Sequence, residues 1–221
     1  LHYPANFLLL DKLAFLSKMV LAVVFGSLLS AMAVLLLQEA YAKKQPQLKR
    51  SFLVSLKKFA SLFLIVLVVT ALFYFSIKLF TFGLAKYFMS GHKKLLFLGP
   101  RLWLGPILIA FNFIISALIQ SFFIYAIPFL MLENEKLFSS LKKSCLLCAR
   151  LFIPTLVLVG LPLLLFIPML ILKLNAPYFI NNFFPESFLF VLVLGVLLNS
   201  LVIDPLVTFT TTILFLENRK K

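Results

Sequence analysis

Five long apolar runs separated by short polar or basic connections set the pattern of this chain, at 14–37, 59–82, 102–130, 151–172 and 188–215. A helix crosses the hydrocarbon core of a bilayer in about 20 mostly apolar residues, and each run reaches that length. The pattern predicts an all-α fold, a polytopic integral membrane bundle with five visible transmembrane helices in a single transmembrane domain over 1–221. No polar stretch is long enough to form a separate soluble domain.

Two connections carry their own helical period. Over 47–58, Leu48, Phe52 and Leu56 recur every fourth residue and continue into Phe59, with Lys49, Arg50, Lys57 and Lys58 off that stripe. Over 136–150, Leu137, Leu141, Cys145 and Cys148 share a face, flanked by Lys136, Lys143 and Arg150. Apolar stripes with basic flanks predict two amphipathic helices lying in the membrane interface. Both contain Ser-Leu-Lys-Lys, at 55–58 and 140–143, and Leu-Glu-Asn recurs at 132–134 and 216–218. The spacing predicts an internal repeat of span, acidic residue, basic helix and span, all turned toward one membrane face.

Helix breakers punctuate the runs. Pro100 or Pro106 is expected to open the third span, and Pro185-Glu186-Ser187 the fifth. Pro162 and Pro168 each remove an internal hydrogen bond from the fourth span, which predicts a bend or a local unwinding. In the first span Ala22, Gly26 and Ser30 make a small-residue stripe suited to close packing.

Composition sharpens the class. The chain is 63% hydrophobic, with 27 Phe and 7 Gly, and its formal net charge is +14. In a soluble protein such a charge would suggest nucleic acid; here the cations sit beside spans, where they face anionic head groups, each worth about 1 kcal/mol near that surface. The lipid head-group contacts expected are Lys49, Arg50, Lys57, Lys58, Lys142, Lys143 and Arg150. The partners expected are membrane lipids, with a membrane-protein partner or a second copy, and no nucleic acid.

Cations also orient the chain. One set of ends and connections holds thirteen Lys and Arg, from Lys43 to Lys58, Lys136 to Arg150 and Arg219 to Lys221, and the other holds eight. Basic loops stay cytoplasmic, so the C-terminus is expected inside a bacterial inner membrane. An outside start sits awkwardly with an odd number of spans. The sequence begins at Leu1, and a sixth, preceding span is expected in the native chain, with residues 1–12 (Tyr3-Pro4-Ala5-Asn6 among them) as an extracytoplasmic loop.

Asp204 is the candidate for intramembrane chemistry. A centred Asp costs roughly 2.5–3.5 kcal/mol on insertion scales. Ser200, Asp204, Thr208 and Thr211 form a polar stripe in the last run, and Asn112, Ser116 and Gln120 form another in the third. The two stripes are expected to face each other, as a hydrogen-bonded seam in which protonated Asp204 donates to Gln120 or Asn112, or as a relay or polar groove for a solute. Cys145 and Cys148 read as small buried hydrophobes; His2 and His92 fall on the opposite side, so no metal site is expected. His92 reads as a loop residue. No catalytic residue and no cofactor are expected.

The segment IPFLMLENEKLFSSLKKSCLLCARLF resembles a recurring element of one bacterial multi-spanning membrane superfamily, which includes the membrane domain of some glycerophosphodiester phosphodiesterases. The matching positions are Pro128, Glu133, Leu141, Lys142 and Ser144; the last span is similar through Phe215, Glu217 and Arg219. The stretch from Gly26 to Phe59 is similar to the span and basic connection after the family's first helix. The resemblance implies six spans and a membrane domain. Phe stands where the family usually has Tyr, and the chain has no phosphodiesterase barrel, so that activity is not implied. The function expected is that of a non-enzymatic membrane protein engaging lipid or a membrane partner through its basic helices. A transport component using the polar seam is the alternative, and a membrane enzyme acting on lipid comes third.

Overall fold

A computed structural model describes residues 22–89, 100–175 and 186–219, with single positions 13, 17, 20, 178 and 182. The loop 1–12, His92, Pro185, Lys220 and Lys221 lie outside the described residues. No strand occurs among the described residues. A π-helical turn, Ala22–Gly26, leads into α1 (Ser27–Tyr41). Then come α2 (Leu48–Lys57), α3 (Phe59–Met89), α4 (Pro100–Phe123) and α5 (Ala126–Leu132). They are followed by α6 (Leu137–Arg150), α7 (Phe152–Leu164) and α8 (Ile167–Leu174). Finally α9 (Ser187–Leu198) passes through a π-helical turn, Asn199–Ile203, into α10 (Asp204–Arg219).

Four stretches are long and apolar enough to cross a membrane: Val23–Tyr41, Phe59–Gly83, Ala110–Leu132 and Phe188–Arg219. The remaining expected span is divided between α7 and α8. The outer surface is apolar, with Phe75, Leu79, Phe82, Ile153, Leu161 and Phe190 exposed. A continuous belt of this kind needs hydrocarbon around it. The chain is an all-α, multi-pass membrane bundle.

Three prolines account for three breaks. Proline lacks an N–H and its ring crowds the carbonyl four residues back. For Pro128 that carbonyl belongs to Ile124, in the turn between α4 and α5. For Pro168 it belongs to Leu164, the last residue of α7; Leu165 N–H and Phe166 N–H then bond Pro162 and Leu163 carbonyls at 3.1 and 2.9 Å. For Pro205 it belongs to Leu201, inside the second π-helical turn. Pro162, by contrast, stays within α7. Pro100 opens α4, as its place in the sequence suggests.

The core is densest at the end of the bundle where α1, α5 and α10 finish. Val34, Leu62, Ile65, Tyr125, Cys148 and Phe215 belong to one buried cluster there. The Tyr125 hydroxyl shares a buried 2.7 Å hydrogen bond with Thr155 Oγ1, and Phe129 meets the Phe215 ring edge-on with centroids 4.9 Å apart. A second cluster joins Ala117 of α4, Val159 and Leu163 of α7, and Ile203 and Val207 near the start of α10. In α1 the buried residues are Ser27, Ala31 and Val34, while Gly26 and Ser30 of the expected small-residue stripe are only half-buried. The inward line is instead Val23, Ser27 and Ala31, spaced by four and one residue along from the expected stripe.

The two connecting helices lie at the dense end. α6 meets α7 at 98°, so it runs across the end rather than along the spans. It presses Ser140, Ser144 and Cys148 inward, each fully buried, and Ser144 Oγ donates to the Phe122 carbonyl at 2.7 Å. Phe122 lies in the last turn of α4, where helical carbonyls lose their internal partners, so this bond satisfies one of them. α2 packs on α1 and α3 through Ser51 and Ser55, at 1% and 0% exposure. Small side chains let helices approach closely. The α2 stripe of Leu48, Phe52 and Leu56 therefore points outward, while in α6 Leu137, Leu141 and Cys148 turn toward the core. The two repeated segments share a serine-lined inner face and differ in where their apolar residues go.

Candidate site at the basic end of the bundle

The turn after α5 gathers cations from three separate parts of the chain. Asn134 in this turn has φ 54°, in the left-handed region that asparagine tolerates better than most residues. Lys58, between α2 and α3, donates from Nζ to the Leu130 carbonyl and to Asn134 Oδ1, both at 2.6 Å. Lys143 of α6 bonds Glu135 and lies 3.7 Å from Glu133. Arg219 of α10 comes within 3.9 Å of Glu133. Both Ser-Leu-Lys-Lys segments, and the arginine that follows the second Leu-Glu-Asn copy, thus meet the turn that holds the first copy.

Electrostatics follow from these contacts. Hydrogen bonds from Lys143, and then from Ser139, hold the Glu135 carboxyl below its ordinary value. The same bond raises Lys143 above the usual lysine range. Partial burial lowers Lys58. Of the seven expected head-group contacts, Lys58 and Lys143 are thus engaged within the protein, whereas Lys49, Arg50, Lys57, Lys142 and Arg150 are exposed.

α2 presents the most open cationic face. Among the described residues, Gln47, Leu48, Lys49, Arg50, Leu53, Val54 and Lys57 line an open, shallow cleft of about 560 Å³ along it. Leu53 is 48% exposed, and Phe52 and Leu56 lie alongside at 43% and 48%. The Glu39 carboxylate accepts the Gln47 amide at 2.8 Å, which ties the start of α2 to α1. On α6 the exposed positions include Phe138, at 84%, with Lys142 and Leu146.

In the intramembrane stripes Asp204 has a partner within its own helix. Asn199 donates from Nδ2 to Asp204 Oδ2 at 2.8 Å across the π-helical turn. Asp204 and Ser200 are exposed, Thr208 is half-buried, and buried Thr211 donates to the Val207 carbonyl at 2.6 Å. On α4, Asn112, Ser116 and Gln120 are half-buried, and Asn112 Oδ1 is buried without a hydrogen-bond partner, so Asp204 does not donate to it. α7 packs against both α4 and α10, and its Val159 and Leu163 belong to the apolar cluster that joins them. The widened turn supplied Asp204 with a partner in its own helix. An Asn five residues before an Asp-Pro pair was the available signal for it.

The cysteines are free thiols; burial pushes Cys148 up to about 11 and raises Cys145 as well. Such a thiol stays protonated and is a poor nucleophile or ligand. Among the described residues, no three His, Cys, Asp or Glu side chains group as metal ligands would. The Leu-Glu-Asn repeat marked Glu133 and Asn134 in the sequence, but Glu135 and the buried faces of Ser51 and Ser55 were not singled out. Comparison with protein-family models, curated proteins and solved structures finds no match for this chain.

Proposed function

We propose that this is a non-enzymatic membrane protein whose basic end engages the anionic lipid of the cytoplasmic leaflet of a bacterial inner membrane. The supporting observation is the outward face of α2, where Phe52, Leu53 and Leu56 stand exposed beside Lys49, Arg50 and Lys57. Apolar residues suit the acyl boundary, and the cations beside them suit phosphate. Three cations at about 1 kcal/mol each bring a preference of up to about 100-fold for an anionic surface. The positive-inside rule puts this end, with the C-terminus, in the cytoplasm. The resemblance of residues 127–152 to the multi-spanning superfamily agrees with a role inside the membrane. The test is the lipid that remains around the protein after extraction in polymer discs. Phosphatidylglycerol or cardiolipin should be enriched over the bulk membrane, and Lys49, Arg50, Lys57 and Lys142 changed together to Gln should remove the enrichment. A wild-type shell of bulk composition would sink this reading.

The Asn199–Asp204 pair supports a second reading, a transport component, because widened helical turns concentrate at functional sites. Under it, Asp204→Asn abolishes flux of the cargo while the bundle still folds.

A further inference from the structure

We infer that the α2 cleft is a discrete binding site for the phosphodiester head group of one anionic phospholipid, drawn from the surrounding bilayer. This rests on the reading above and narrows it from a charged surface to a site. Lys49, Leu53 and Lys57 recur at intervals of four, so they form one line along the helix, and Arg50 and Val54 form the line beside it. A phosphate held there meets a planar guanidinium, which can bind two oxygens at once, and two ammonium groups as point charges. The acyl chains have Leu53 and Val54 within the cleft and Phe52 and Leu56 at its side.

Three features separate this face from an ordinary basic surface. The cleft has a volume of about 560 Å³, and no carboxylate lines it among the described residues. The carboxylate nearest along the chain, Glu39, sits at the edge of the cleft, where it accepts the backbone amide of the lining residue Gln47 at 2.8 Å. The helix is also held in place from behind by Ser51 and Ser55, which are buried against its neighbours, so the cations are displayed on a fixed backbone. α6 lacks this arrangement, since its Lys143 is paired with Glu135 and Glu133.

The experiment uses the full chain in discs of phosphatidylcholine, titrated with short-chain phosphatidylglycerol and followed by native mass spectrometry. The expected result is saturable binding of one lipid per protein. It should weaken by at least about tenfold in the triple variant Lys49→Gln, Arg50→Gln, Lys57→Gln and change little in Lys43→Gln, Lys44→Gln, Lys136→Gln, three exposed cations outside the cleft. Circular dichroism checks that both variants keep their helices, and single substitutions replace any triple that does not. Equal, partial losses from both triples would leave a general electrostatic attraction and overturn the site. Inorganic phosphate competing as well as the lipid would also overturn it, by reducing the cleft to an anion site. No preference of the wild type for phosphatidylglycerol over phosphatidylcholine would remove both the site and the reading beneath it.

Discussion

Lys58 and Lys143 end the two Ser-Leu-Lys-Lys segments, and both reach the turn that follows α5. Lys58 bonds the Leu130 carbonyl and Asn134, and Lys143 bonds Glu135. The preceding lysine of each segment, Lys57 or Lys142, is exposed. Each repeated pair therefore divides its work, one cation holding the protein together and the other facing outward.

Lys58→Met should destabilise the bundle by about 1.5–3 kcal/mol, the range for hydrogen bonds to a charged group, because the Leu130 carbonyl and Asn134 lose a shared donor. Lys57→Met should shift stability by less than about 0.5 kcal/mol, as exposed substitutions do. Reversible unfolding in mixed micelles measures both.

The Glu135–Lys143 pair makes an acid limb. Since the folded carboxyl titrates below its unfolded value, its contribution is present above the unfolded value and lost as the pH falls through the folded one. Melting temperature should therefore drop on acidification, and Glu135→Gln should flatten that drop. A variant with the wild-type acid profile would count against the pairing.

Tyr125→Phe should cost about 0.6–1.7 kcal/mol, the range found for hydrogen bonds between membrane helices. The bond to Thr155 is buried and ties the α4–α5 break to α7. A double-mutant cycle with Thr155→Val should show that the two losses are shared and not additive.

Alkylation at neutral pH should modify Cys145 ahead of Cys148. The Cys148 thiol is fully buried and titrates near 11, so only about one in 10⁴ is thiolate at pH 7. Mass spectrometry of partly alkylated protein reads the order; modification of Cys148 first would contradict the packing of α6.

Span positions and the proline breaks were legible because they depend on local chemistry: length, apolarity and the missing N–H. The break at Leu165–Phe166 follows from Pro168, whereas Pro162, also expected to bend the span, stays within α7, and the start of α4 was left open between Pro100 and Pro106. Which face turns inward was harder to read. Lipid is as apolar as a protein core, so a stripe such as Leu48, Phe52 and Leu56 fits either side, and the small residues Ser51 and Ser55 decided the packing. The surroundings of Asp204 were hard to read for a related reason. Spacing shows that Asn112 and Asp204 lie on polar stripes, but it does not reveal that α7 packs against both helices or that Asn199 lies within reach.

The right-angle meeting of α6 and α7 bears on how the protein tolerates bilayers of different thickness. A transverse helix packed on the ends of the spans acts as a flange and holds that end at one depth. Tilting the bundle would drive one side of the flange into hydrocarbon and lift the other into water, so the usual remedy for hydrophobic mismatch is restricted. Adjustment would then fall to the other end of the spans, where the chain is already interrupted between α7 and α8 at Leu165–Phe166.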